Sequence, residues 1–415
     1  MCGIFGIIGS TSLSKTKILK REINKLFLLS ESRGKEASGI AFSGSKEIVV
    51  LKRDIPASSL IKDKLYNDLF DSFSDAPDRN KFEIIGHSRL VTTGSEEIEH
   101  NNQPVIKYNN LVIHNGIITN FKQLFEESPE TEQIYDVDTE IIPSLFYKYI
   151  SGNNSVLTVV KKIFQQIEGT ASFCLLNSEY DLSILATNNG SLYYNLENDL
   201  LVFSSERFIL ESYLSESIMF KNKNALQLKS DNLIIYNGQF KLYDFNLTNV
   251  TEFERIELIQ RKRKIINRIN ENKESKYVIK NIFVSDGNIL QDNTIQIEKL
   301  VRCTKCILPE TFPYIEFNSD GVCNYCQNYE TKFVLNESEI REREQELLNY
   351  VKRYQKSGFY DVLVPFSGGR DSSYGLDYIK NKLGLNPVTF TYDWGMITDL
   401  ARRNISRVCG KLGIE

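Results

Sequence analysis

Cys2 stands directly after the initiator Met in this 415-residue chain. Removal of Met1 would leave one residue bearing both a thiol nucleophile and a free α-amine. An α-amine titrates near pH 8, so at neutral pH part of it can accept the thiol proton, as N-terminal amines do for other weak nucleophiles. The plainer alternative is a small buried residue opening a first strand, since free cysteine is often buried.

Four other cysteines form two C-x2-C pairs, Cys303-Thr304-Lys305-Cys306 and Cys323-Asn324-Tyr325-Cys326, with sixteen residues between them. Each pair can offer two thiolates from one tight turn, and two such turns close a tetrahedron around zinc. Asp320-Gly321 supplies a turn before the second pair. Structural Zn2+ is the expectation; a redox dithiol and an iron–sulfur cluster are the rivals. Cys174 and Cys409 stand alone and read as packing residues.

A third group is Ser367-Gly368-Gly369-Arg370-Asp371-Ser372-Ser373, after the apolar run 361–366 and before a helical pattern to about Leu383. A strand, a glycine turn and a helix N-terminus make an anion site, because backbone N–H groups and the helix dipole face the ligand. No Gly-Lys-Ser/Thr ending follows, so this is not a Walker loop. A merely capped strand-to-helix turn is the bland reading.

The elements that must hold these groups can be read from polarity. Residues up to about Asn246 alternate short strands (48–51, 111–113, 171–176 and 200–203) with helices at 17–30 and 139–150. That mixture suits two sheets between helical layers. Residues 248–299 are charged and Asn-rich and read as a connector, with a helix expected over 254–272. Net charge −4 gives bulk electrostatics no hold on a nucleic acid. No apolar run reaches the roughly 20 residues needed to span a bilayer, and no signal peptide is evident. The chain is expected to be cytoplasmic, with reduced or metal-bound cysteines.

Five segments, in order, add specificity: the N-terminal Cys2-Gly3-Ile4-Phe5-Gly6, then Arg33 to Ala41, Gly86 to Gly94, His114 to Asn120, and Asp138-Thr139-Glu140. Together they resemble the glutamine-hydrolysing domain of class II amidotransferases, which is an N-terminal-nucleophile hydrolase. The resemblance covers about Cys2 to Asn246. It implies that Cys2 attacks the amide while Asn115 and Gly116 form the oxyanion hole. Arg89, Thr92 and Asp138 would then grip the amino-acid end of glutamine, the guanidinium fork on the carboxylate. Residue by residue, other readings stand. Asn115-Gly116 is also a strong type I′ hairpin turn, Asp138 could cap a helix starting near Thr139, and Arg89 could pair at the surface. His87 and His114 are taken as core histidines. Leu90 and Thr93 depart from the family's usual Trp and His at those places.

The stretch from Arg302 to Glu415 resembles the N-acetyl sugar amidotransferases, through the Cys pairs, 308–313, the 367–373 loop and 398–404. Ser-Gly-Gly-x-Asp-Ser is similar to the pyrophosphate loop of ATP pyrophosphatases. The resemblance implies ATP held by Ser367, Gly368, Gly369, Asp371 and Ser372, with Mg2+ at Asp371, and an acceptor sugar of surface polysaccharide. The fold expected is thus an α+β four-layer N-terminal-nucleophile hydrolase sandwich over 1–246 and a connector over 247–300. A zinc-ribbon-like segment over 301–330 would follow, then the start of an α/β parallel-sheet nucleotide-binding domain over 331–415. Only 55 residues run from Asp361 to Glu415, so that last domain is expected to be incomplete, in a truncated or a split protein, a separate synthetase polypeptide being one candidate partner. An asparagine synthetase-like ligase and a binding subunit are the alternatives. The acceptor is expected to be a small molecule.

Overall fold

The structure, a computed structural model, describes residues 2–9, 16–68, 81–90, 98–152, 154–230, 232–244, 258–268, 294–329, 335–356 and 359–415. The chain divides into two compact units, residues 1–275 with 362–415, and residues 276–361.

Two sheets dominate the first unit. The larger runs, edge to edge, through Leu226–Gln227, Tyr193–Glu197, Leu200–Ser204, Gly3–Gly9, Phe82–Arg89, Ala37–Ser43, Glu47–Arg53 and Lys264–Arg268. The smaller runs through Phe240–Asp244, Asn232–Tyr236, Leu182–Thr187, Gly169–Asn177, Asn110–Ile118 and Val105–Lys107. Side chains alternate between the two faces of a strand, and the alternation here sorts three cores. Ile4, Ile8 and Ile85 of the larger sheet meet Leu111, Ile113, Cys174 and Leu185 of the smaller one. Phe5, Ile7 and Ile84 point the other way, onto Leu19, Ile23, Leu26 and Phe27 of helix Thr16–Ser30 and onto Leu210 and Leu214 of helix Arg207–Glu216. Val112, Phe173 and Ile184 face helices Ile141–Ser151 and Val156–Gln166. The layers are therefore helix, sheet, sheet, helix, as the α+β sandwich reading expected.

Helix Thr16–Ser30 forms because its apolar residues recur at three- and four-residue spacing, giving one buried face. Helix Val156–Gln166 starts at Ser155, whose hydroxyl accepts the Thr158 N–H at 3.2 Å.

Two expectations need correction. Asn115-Gly116 is not a hairpin turn: both lie inside the continuous strand Asn110–Ile118, paired with Ser172 and Ala171. The helix expected over 254–272 is also not found where the structure describes that stretch. Residues Lys264–Arg268 form a strand parallel to Glu47–Arg53, at the edge of the larger sheet. Burial explains this. Arg263 is 5% exposed and pairs with the buried Glu83, whose carboxylate also accepts from Ser43 and Ser183. A guanidinium that deep must be paired, so the segment is drawn back onto the sandwich. Residues 247–257 and 269–293 of the expected connector lie outside the described residues.

Residues 362–415 belong to the same unit and add a strand–helix–strand–helix run. Val362–Pro365 and Pro387–Phe390 pair in parallel, with helix Arg370–Asp377 between them. The closing helix Asp399–Leu412 begins at the Thr398 cap and ends at Gly413. Val364, Phe366, Leu376, Cys409 and Ile414 form its small core.

In the second unit, helix Glu337–Tyr354 starts with a capping box in which Asn336 and Glu339 exchange side-chain and backbone bonds. Among the described residues, no helix is long and apolar enough to cross a membrane.

Candidate functional site

Strand parity assembles the first site. Cys2 precedes strand Gly3–Gly9 and shares the face of Ile4 and Ile8, toward the second sheet. Arg89 shares the face of Ile85 on the neighbouring strand, and the register that pairs Gly3 with Ser88 brings Cys2 opposite Arg89. Asn115 shares the face of Leu111 and Ile113, so it looks back across the inter-sheet layer. The strands of Cys2 and Asn115 touch one another across that layer. One end of the sandwich thereby gathers a thiol, a guanidinium and a carboxamide.

The Cys2 segment is held through its thiol and its backbone. Cys2 is 8% exposed, and its Sγ donates to the Leu90 carbonyl at 3.3 Å. Ser205 accepts the Ile4 N–H at 3.1 Å and donates to the Cys2 carbonyl at 3.5 Å. Arg33, from one of the segments singled out in the sequence, forms an ion pair with Glu206 at 3.1 Å. Gly34 has a steric duty: a Cβ there would lie 2.2 Å from the Arg89 carbonyl carbon. Burial pushes the Cys2 thiol above its ordinary value, opposed by the N-terminal charge and by Arg89.

Arg89 is 4% exposed and donates to Asn102 Oδ1 at 2.5 Å. Asp138 is 5% exposed, and its Oδ2 accepts the Ile118 N–H at 2.8 Å. It therefore ties the short helix Asp138–Glu140 to the strand of Asn115 and caps no helix. Its charge raises the Cys2 thiol, which places both acid and guanidinium within electrostatic reach of the sulfur. Asn115 is 2% exposed, and its side-chain oxygen has no hydrogen-bond partner among the described residues. Gly116 adopts φ +149, and a Cβ there would stand 2.0 Å from the Thr170 carbonyl oxygen. Only glycine fits. Thr92 falls within 91–97, outside the described residues.

The two histidines are buried, and both are held below the ordinary imidazole value by burial. His114 Nδ1 lies 3.2 Å from Thr139 Oγ1. Neither ring nitrogen of His87 has a partner among the described residues. Buried rings of this kind agree with a core role.

Sequence reasoning missed the groups around Arg89. Lys52 is 2% exposed and donates to the Asn102 carbonyl at 2.9 Å and the His100 carbonyl at 3.4 Å. Burial pulls its ammonium down to about 7, with Glu99 opposing and Arg89 reinforcing the shift. Gln103 is the other: its amide accepts the His114 N–H at 2.6 Å and donates to Thr139 Oγ1 at 3.0 Å. Lys52 sits in an ordinary alternating strand and Asn102 in a polar run, so neither carried a local signal.

The family described as "Glutamine amidotransferase domain" matches residues 87–212, a span that holds Arg89, Asn115, Gly116 and Asp138. The chain carries a class II glutamine amidotransferase domain. Glutamine–fructose-6-phosphate aminotransferase (isomerizing) of Fusobacterium nucleatum is 28% identical over 248 residues, 58% of this chain and 38% of that protein. The enzyme of the same name from Streptococcus agalactiae is 29% identical over 245 residues, 57% of this chain and 38% of its own length. The chain thus spans well under half the length of these curated relatives. Among solved structures, a glutamine phosphoribosylpyrophosphate amidotransferase from Bacillus subtilis aligns with TM-score 0.44 at 20% identity, covering 60% of this chain and 50% of that one.

Beyond the amidotransferase domain, the glycine loop leaves strand Val362–Pro365 and enters helix Arg370–Asp377 at the Gly369 cap. Gly368 has φ +74. Ser372 and Ser373 both donate to the Gly369 carbonyl, at 3.1 and 2.8 Å, and Ser367 Oγ lies 3.1 Å from Ser372 Oγ. Asp371 is exposed in the first turn. Beside the loop, at the strand ends, lies a cavity of about 570 Å³ lined by Phe366, Ser367, Phe390, Trp394, Met396 and Thr398 among others.

In the second unit, Cys303, Cys306, Cys323 and Cys326 bring their sulfurs within 4.8 Å of one another. Cys303 and Cys326 Sγ are 4.0 Å apart, Cys306 and Cys323 Sγ 3.6 Å. Cys303 Sγ accepts backbone N–H groups from Lys305, Cys306 and Cys323 at 3.3 to 3.4 Å. Cys174 and Cys409 are buried in separate cores.

Proposed function

We propose that this chain hydrolyses glutamine at Cys2 and supplies the ammonia to an ATP-activated acceptor. What carries the reading is the buried gathering of Cys2, Arg89, Asp138 and Asn115 at one end of the sandwich. After loss of Met1, the Cys2 amine takes the thiol proton and the thiolate attacks the side-chain amide carbon. The carbonyl electrons move onto oxygen, where the Asn115 carboxamide N–H and the Gly116 backbone N–H receive them. The C–N bond then breaks, and the α-ammonium returns its proton to the departing nitrogen. Water cleaves the thioester and releases glutamate. Arg89 takes the substrate carboxylate, Asp138 its ammonium, and Thr92 completes the grip. The side chains of the site are buried, and a low-dielectric surrounding is where such donors are worth most.

The second half of the reading rests on residues 302–415. We propose that Ser367, Gly368, Gly369 and Ser372 cradle the phosphates of ATP and that Asp371 holds Mg2+ on the pyrophosphate. The neighbouring aromatic cavity, within the usual 300–1,000 Å³ range for ligand sites, would receive the rest of the nucleotide. An acceptor oxygen would attack the α-phosphorus, pyrophosphate would leave, and ammonia would then displace AMP. The likeness to N-acetyl sugar amidotransferases supports an acetamido sugar as acceptor, and a separate synthetase polypeptide could complete the acceptor site. Neither nucleic acid nor membrane enters this scheme.

Four sulfurs 3.6 and 4.0 Å apart support bound zinc in the Cys303–Cys326 segment. A tetrahedron of Zn–S bonds near 2.3 Å has an edge of about 3.8 Å, whereas a four-iron cluster sets its cysteines further apart. Cys303, Cys306, Cys323 and Cys326 would hold the ion, which supplies cross-linking and no reaction step.

Glutamate release by the purified chain with Met1 processed tests the first half, and absence of release would end it. Pyrophosphate release across a panel of acetamido sugars tests the second. Elemental analysis should find about one zinc per chain, and protein soluble and folded without metal would reject the zinc site.

A further inference from the structure

Helix Asp399–Leu412 packs on its own neighbours Val364 and Phe366 and also lies against strand Gly169–Asn177, far from it in sequence. The approach is close because two glycines meet. A Cβ on Gly410 would stand 1.9 Å from the Gly169 carbonyl oxygen, and Gly169 itself takes φ +122.

One turn earlier sits Ser406, 4% exposed. Its hydroxyl donates to the Ile117 carbonyl at 2.7 Å. The same oxygen accepts the Thr170 N–H at 2.9 Å and lies 3.0 Å from Thr170 Oγ1. Ile117 and Thr170 are partners in the strand register, one step beyond Gly116 and Ala171. A side chain 236 residues away in sequence thus joins both backbones of that rung. The Ile117 N–H turns to Thr170 Oγ1 at 3.4 Å. The Thr170 carbonyl lies 3.4 Å from His114 Nε2 and is the atom that leaves Gly116 no room for a Cβ. Whatever fixes Thr170 therefore fixes the wall behind Gly116.

The same helix seats the glycine loop. A Cβ on Gly368 would lie 2.7 Å from the Ala401 carbonyl oxygen, and Asn404 Nδ2 donates to the Gly368 carbonyl at 3.3 Å. Both residues are within five of Ser406.

We propose that Ser406 is a positioning residue for the amide-hydrolysing site, holding the Ile117–Thr170 rung beside Gly116 and tying that strand to the helix on which the glycine loop rests. Its kinetic consequence rests on the glutaminase reading; its structural consequence does not. Removing the hydroxyl leaves a buried N–H and a part-buried carbonyl without their bridge.

The test compares the full chain with Ser406→Ala and with Arg407→Ala, a change on the same helix at an exposed residue that bonds Thr119 and Glu168. Ser406→Ala should speed amide exchange at Ile117 and Thr170 about tenfold, while Arg407→Ala stays near wild type at those two amides. Glutaminase kcat should fall about fivefold in Ser406→Ala with KM for glutamine held, the equivalent of one hydrogen bond. Unchanged exchange in Ser406→Ala would overturn the proposal, as would a parallel loss of kcat, KM and thermal midpoint. If the wild type releases no glutamate, the glutaminase reading fails and the exchange arm still decides the role of Ser406.

Discussion

The two regions of the first unit that we propose as sites are built on opposite plans. Around Cys2 the working groups are side chains sunk between two sheets: Cys2, Arg89, Asn115 and Asp138 are each 8% exposed or less. Around Ser367 the groups we propose for phosphate are mostly backbone, on a turn where Ser367, Gly369 and Asp371 face solvent. A neutral amide must be polarised and broken, which calls for fixed dipoles in a dry place. A polyphosphate brings its own charge and needs N–H groups that can reach it, which calls for an open glycine turn. Depth also carries its own cost, visible in the raised thiol and the lowered lysine of the buried site.

The sharpest way to break this contrast is Cys2→Ala, which should cut glutamate release by roughly 10⁴-fold or more while leaving the thermal midpoint near wild type. Asn115→Ala follows, with kcat expected to drop about 10²- to 10³-fold by single-turnover assay. An effect under fivefold would remove Asn115 from the oxyanion site. Arg89→Lys keeps the charge and loses the fork, so KM for glutamine should rise about ten- to a hundredfold with a smaller change in kcat.

Glycine substitutions compare the two regions directly. Gly116→Ala meets backbone oxygen at 2.0 Å in a closed sheet, and Gly368→Ala meets it at 2.7 Å on an open turn. Urea melts should show a loss of about 3 kcal/mol or more for the first and about 1–2 kcal/mol for the second. The reverse order would contradict the plan described here.

Lys52 gives the smallest and most specific effect. Its folded value, about 7, lies below the ordinary lysine value, so the native state sheds this proton first as pH rises. Between pH 7 and about 10 the unfolded chain binds more protons at this group, and stability should increase with pH. Below pH 7 both states are protonated and the slope vanishes. Lys52→Met should flatten the rise, read as the urea midpoint against pH.

Much of this was legible in the residues. The strand at 171–176 and the helix at 17–30 announce themselves by periodicity, and the structure places Gly169–Asn177 and Thr16–Ser30 there. Cys2, the Cys pairs and the glycine loop carry spacing rules that survive without coordinates. The segment after Asn246 misled, because Arg263 reads as one more charge in a charged stretch until Glu83 is seen waiting under it.

The sequence by itself determined which atoms are reactive and which faces are apolar, since residue type and period are local properties. Only the tertiary structure decided which strands lie side by side, and with them that Arg89 stands opposite Cys2 and that Lys52 ends beneath Asn102. It also decided that Ser406 bridges a rung 236 residues away. Packing between distant segments is chosen by the summed burial of whole sheets, and no short window of residues contains that sum.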